Sequence, residues 1–154
     1  MNPIERFVFE FNIQHDYFEC HEILEEVWQD GQRQDEALVG LIQLAVARYH
    51  HRRGNQAGAQ RTYRKAFDKI ERHRAALITS GIDASRLLDH RDHFTDPVYR
   101  HIPLPVFPDV VRNVALEATA PDLEFVTHKH RLRDRTDVVT ARQEALQNRR
   151  DRSI

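Results

Sequence analysis

Asp35-Glu36-Ala37-Leu38-Val39-Gly40-Leu41-Ile42-Gln43-Leu44-Ala45-Val46-Ala47-Arg48-Tyr49-His50-His51-Arg52-Arg53 is the stretch that decides the fold. Asp35 is a helix cap and Gly54 a stop. Between Ala37 and Ala47 nearly every face of the helix is apolar, the pattern of a central helix buried by several neighbours. Gln43 and His50 are seven residues apart and share one stripe two turns long. Polar groups on a buried helix need partners, so this stripe is a first candidate for chemistry. Arg48, Arg52 and Arg53 fall at the helix end, where cations suit the helix dipole, and are expected on a solvated surface.

The flanking sequence supplies the neighbours. Ile4, Phe7, Val8 and Phe11 recur at helical spacing, with Asn12 to His15 as a joint. Asp16 with Glu19 is a capping-box-like start for a helix that runs to about Gln29 and ends at Asp30-Gly31. The short link from Gly31 to Gln34 makes this helix an antiparallel neighbour of the central one. Asn55 opens a further helix expected to continue to about Thr79, with Ala59, Tyr63, Ala66, Phe67, Ile70, Leu77 and Ile78 on its apolar stripe.

The character changes after Gly81. Asp83 caps a short helix that Pro97 stops. His101-Ile102-Pro103-Leu104-Pro105-Val106-Phe107-Pro108 must be extended, because each proline disfavours helix at the preceding residue. Its apolar side chains read as a strap over the bundle. Valines 110, 111 and 114 leave Asp109–Ala118 open between helix and strand. Beyond Pro121 the chain is charged, with Val138, Val139, Ala145 and Leu146 as weak anchors of a helical or partly ordered tail. The expectation is an all-α protein: an antiparallel helical bundle in residues 1–81, then an accessory helix, Pro-rich strap and charged C-terminal extension in residues 82–154.

The chain has 154 residues, 40% hydrophobic and 31% charged, enough for one modest core. No stretch approaches the roughly 18 apolar residues of a membrane span. The opening residues do not read as a signal peptide, and the single cysteine, Cys20, excludes an internal disulfide framework. A cytoplasmic setting is therefore expected. Residues 1–60 carry ten acidic and five basic side chains, and the rest fourteen acidic and eighteen basic. That asymmetry suits association within or between chains, and it is too small to point to nucleic acid.

On a helical wheel Tyr17, Cys20, Ile23, Leu24, Val27 and Trp28 form the core arc of the second helix. Glu19, Glu22, Glu26 and Gln29 lie opposite. His21 and Glu25 lie between, one turn apart and half-buried, where a mutual hydrogen bond is expected. Phe11-Asn12, Tyr17-Phe18-Glu19-x-His21-Glu22-x-Leu24-Glu25-x-x-Trp28, Gln43 and Tyr49-His50 resemble the signature of the domain of unknown function 309 family, over about residues 4–80. The resemblance implies a helical bundle and places His21, Glu22, Glu25, Trp28, Gln43 and His50 on the motif positions; it implies no reaction. Glycine is common in that family in the turn before the Tyr-Phe-Glu element, where this chain has Gln14-His15-Asp16.

Two functional classes follow. One is a binding or self-association module, with a protein partner or a second copy, in which His21, Glu22, Glu25, Gln43 and His50 form a structural polar cluster and no cofactor is needed. The other is a metal-dependent hydrolase. His21-Glu22-x-x-Glu25 resembles the His-Glu-x-x-His zinc helix, with a carboxylate replacing the second histidine and His50 as a third ligand to a divalent metal. Glu22 would be the base, although the wheel puts it on the solvated face. Trp28 reads as packing at the core boundary. Asp89-His90-Arg91-Asp92-His93, with Asp96 and His101, is a second set read as an exposed charged helix end. His128 and His130 read as solvated.

Overall fold

The computed structural model describes residues 1–118. Met1–Ala115 form one compact unit, and the account below concerns that unit and the end of its last helix. The tail beyond Pro121 and its anchors lie outside the described residues. Among the described residues the architecture is all-α, with one isolated antiparallel bridge between Ile82 and Val106. No described helix is long and apolar enough to cross a membrane.

Helix α1 (Pro3–Phe9) begins with a reciprocal capping box: Glu5 N–H donates to Asn2 Oδ1 at 2.8 Å and Asn2 N–H to Glu5 Oε1 at 3.0 Å. It widens into a π-turn, Glu10–Gln14, that ends in a left-handed residue, His15, at φ 54°. Glycine adopts this conformation freely and histidine only at a cost. His15 takes this left-handed conformation in the turn before α2.

Helix α2 (Tyr17–Asp30) is capped by Asp16, whose Oδ1 accepts from Glu19 N–H at 3.0 Å. Helix α3 (Glu36–Arg52) is capped by Asp35 and buried along almost its whole length, as the apolar pattern predicts. Helix α4 (Gln56–Arg72) packs most extensively against it. Their close approach depends on Gly40, where a Cβ would lie 3.2 Å from Lys69 Cβ.

The single helix expected from Asn55 to Thr79 is two: α4 stops at Arg72 and α5 spans Arg74–Ser80, with His73 at φ −112° between them. Between Ile70 and Leu77 no side chain is buried, so nothing in the core holds that stretch straight. Beyond the break α5 packs on α6 (Ala84–Asp89). Ile78, assigned to the apolar stripe by periodicity, is 37% exposed for the same reason.

Helix α7 (Arg91–Thr95) follows, and the extended strap runs from Asp96 to Phe107. Leu104 is fully buried, whereas Ile102, Val106 and Phe107 are half-buried. Asn12 clasps Leu104 from both sides, accepting its N–H at 2.7 Å and donating to its carbonyl at 3.1 Å. At Gly81 (φ 107°) the strap exchanges backbone bonds with the α5–α6 corner, Phe107 N–H to Gly81 O and Asp83 N–H to Pro105 O, both 3.0 Å. The segment left open by its valines is a helix, α8 (Pro108–Glu117), with Val110 and Val114 buried.

If the strap is part of the core, Leu104→Ala should lower the urea unfolding free energy by about 2–5 kcal/mol. Val98→Ala, at a site 67% exposed, should change it by about 0.5 kcal/mol or less. Equal effects of the two would contradict the packing described.

Candidate functional site

Helix α2 is covered by α1 on one side and α3 on the other. Its buried arc is therefore wider than a single wheel face, and it takes in His21 and Glu25, at 1% and 4% exposure, where the sequence suggests half-burial. Cys20 faces the core as expected; burial pushes its thiol well up, and Sγ donates to Phe7 O at 3.4 Å.

His21 is contacted by a carboxylate at each ring nitrogen. Nδ1 lies 3.0 Å from Glu22 Oε1 and Nε2 2.7 Å from Glu25 Oε2, the second contact being off the N–H axis. Gln29 Nε2 donates to the other Glu25 oxygen at 3.4 Å. Glu22 is 46% exposed, in keeping with its place on the wheel, yet its carboxylate turns back onto the histidine. The three residues offer donor atoms within 4.8 Å of one another. Their arrangement matters chemically: the two carboxylates approach opposite nitrogens, whose lone pairs diverge. One ion could take the ring and both carboxylates only if a side chain moved.

The remaining motif residues, Gln43, His50 and Trp28, lie on α3 and α2. Gln43 is buried, and its Oε1 has no hydrogen-bond partner among the described residues. His50, half-buried, has Nδ1 3.3 Å from Asn55 Nδ2 and meets Tyr49 edge-on. Trp28 is half-buried, with Nε1 unpartnered and the Arg33 guanidinium 5.7 Å from its ring. In the second sequence cluster His90 and His93 meet edge-on at 5.6 Å, but the chain is broken there between α6 and α7. His128 and His130 lie outside the described residues.

The sequence reading placed Arg48 on a solvated helix end; in the structure it is fully buried. It continues the Leu41, Leu44, Ala45 face of α3, and the strap closes over it. Its guanidinium stands over the rings of Tyr99, Phe94 and Tyr17 at 4.5, 5.3 and 5.7 Å. It donates to Tyr63 Oη at 3.2 Å and to the Arg100 carbonyl, while Nε has no partner. Among the described residues no carboxylate pairs with it. Burial pushes the Tyr17 and Tyr63 phenols up, so neither supplies a counter-charge as tyrosinate.

Hydrogen bonding orders the neighbours. The Pro97 carbonyl can only accept, so His51 Nε2 donates to it, at 3.1 Å. In the neutral ring Nδ1 then accepts from Tyr63 Oη at 2.9 Å. Tyr17 Oη lies 2.8 Å from Tyr99 Oη and 3.2 Å from His101 Nδ1, and the His101 ring stacks on His15 at 3.4 Å. Three tyrosines spaced across the chain were the available sequence signal. Nothing local to any of them announces that they converge.

His101 is held down to about 4, against 6.5 for the free side chain, by burial first and then by the facing His15 and Arg48. Between those values the unfolded chain binds a proton that the folded chain refuses. The resulting stability is present in full above about pH 6.5 and is lost as pH falls toward 4. Urea midpoints of the wild type should fall across that window more steeply than those of His101→Gln; parallel curves would contradict the assignment.

Residues 4–62 match the family described as domain of unknown function DUF309. The chain is similar to the uncharacterized protein YpuF of Bacillus subtilis (strain 168), with 35% identity over 162 aligned positions covering 94% of this chain and 93% of the relative. No solved structure matches. With a relative this similar along nearly the whole chain, and the family match falling on the helices that carry His21, Glu25 and Gln43, the protein belongs to the DUF309 family.

Proposed function

We propose that this DUF309 protein is a helical binding module in which His21, Glu22 and Glu25 form a structural joint on α2. The observation that carries this reading is the placing of one carboxylate against each nitrogen of a buried imidazole, all three side chains coming from one helix. A cleft of about 300 Å³, lined mainly by apolar groups of Ile4, Leu24, Val27, Leu38 and Leu77, supports binding of a protein partner or a second copy beside that joint.

A second reading, a divalent metal centre of hydrolase type, is favoured by the closeness of the three donors and by the unpartnered Gln43 Oε1. It requires one carboxylate to leave its present ring nitrogen. The two readings separate cleanly in untagged protein. The structural joint predicts no stoichiometric zinc, iron or manganese and no change in melting temperature with chelator. It also predicts a loss of roughly 1–3 kcal/mol in His21→Ala, which takes the imidazole away from the buried Glu25. A stoichiometric metal, with chelator lowering the melting temperature of the wild type but not of His21→Ala, would replace the first reading with the second.

A further inference from the structure

The rim formed by Arg52, His15 and His101 lies apart from the His21 group. Arg52 is exposed; its Nη1 donates to the His15 carbonyl at 2.5 Å, and its guanidinium lies 4.6 Å from the Tyr17 ring. His15 and His101 are half-buried and stacked at 3.4 Å, and His101 Nε2 is a buried ring atom with no partner. Arg48, fully buried, stands 5.7 Å from the same Tyr17 ring, with its own Nε unpartnered. Among the described residues none of these four side chains pairs with a carboxylate.

Such a set of groups is unusual in its sign. Surface arginines ordinarily find acidic neighbours or open water, and buried charges are paired. Here two guanidiniums and two imidazoles gather around one tyrosine with only neutral acceptors between them. The balancing charge they lack is negative, and the donors they leave are N–H groups. A guanidinium presents N–H groups in a fixed fork that matches the oxygens of a phosphate or sulfate.

We infer that the Arg52–His15–His101 rim is a binding site for a small tetrahedral oxyanion, backed by the buried charge of Arg48. Arg52 supplies the exposed fork, with the stacked His15 and His101 rings beside it. A proton taken up by His101 as the anion enters adds one positive charge beside it, and the anion offsets the repulsion of that charge from the neighbouring cations. The groups that face His101 are His15 from the turn before α2, Tyr17 from α2, and Arg48 and Arg52 from α3. Binding at the rim therefore tightens as pH falls.

Sulfate is the suitable probe, because its charge does not change between pH 5.5 and 8. Binding to the full chain is measured by calorimetry and by the histidine side-chain NMR signals, with sodium chloride at equal ionic strength as reference. The expected result is sulfate binding that strengthens from pH 8 to 5.5 and shifts the His15 and His101 signals. Arg52→Gln, an exposed change, should weaken it by about tenfold or more. His15→Asn, which tolerates the left-handed backbone, should weaken it also. Sulfate acting no differently from chloride, or binding unaltered in Arg52→Gln, would overturn the inference and leave the structural role of His21 untouched.

Discussion

A guanidinium with no counter-ion, enclosed at the centre of the fold, is the constraint on which the rest of this structure turns. Arg48 can be buried only where its charge and its N–H groups are met, and aromatic faces do most of that. A cation over an aromatic face is worth about 2 kcal/mol when desolvated. Arg48 has three such faces, contributed by α2, α7 and the strap, with the Tyr63 hydroxyl from α4 and the Arg100 carbonyl completing the shell. One side chain thus collects elements from residue 17 to residue 100 around the end of α3. The strap is ordered because it delivers Tyr99 and a carbonyl to that centre, and its backbone and the adjoining α7 end are held at three further points: Asn12 bonds Leu104, His51 and Gln56 share the Pro97 carbonyl, and Gln60 bonds the Thr95 carbonyl.

The two polar centres of the unit work differently. The His21 group is local: its histidine and carboxylates come from five consecutive residues of one helix, and its charges are acidic. The Arg48 centre is assembled across the chain, and its charges are basic. The contacts of a local cluster are within reach as soon as α2 forms. A dispersed one is satisfied only when the strap has closed. On the readings proposed above, the second is the place for a response to pH or to an anion, and the first a joint that keeps its shape.

What the sequence shows and what it hides follow the same division. The caps Asp16, Asp35, Asn55 and Asp83, the apolar run of α3 and the prolines of the strap are local signals, and each element they specify is present. The pairing of His21 with Glu25 was legible from helical spacing alone. Its full burial was not, because that depends on two neighbours covering α2 at once. The break at His73 was hidden because an absence of core anchors leaves no mark on a periodicity that continues through Leu77. Arg48 was read as solvated because charge and position near a helix end outweigh register in a wheel argument. Its true environment is set by Tyr99 and Phe94, about fifty residues away, which no local pattern connects to it.

Hydrogen exchange in Arg48→Met tests most directly whether the caged guanidinium holds the strap. The amides of Leu104 and Phe107, bonded to Asn12 and Gly81, report strap opening, and those of Leu41 to Leu44 in α3 report the bundle. If Arg48 is the centre that closes the strap, the variant should exchange at Leu104 and Phe107 by about tenfold or more faster relative to the α3 amides, through local rather than global opening. Equal protection of strap and bundle in wild type and variant would contradict the account, and would show that the strap is held by its other contacts without Arg48.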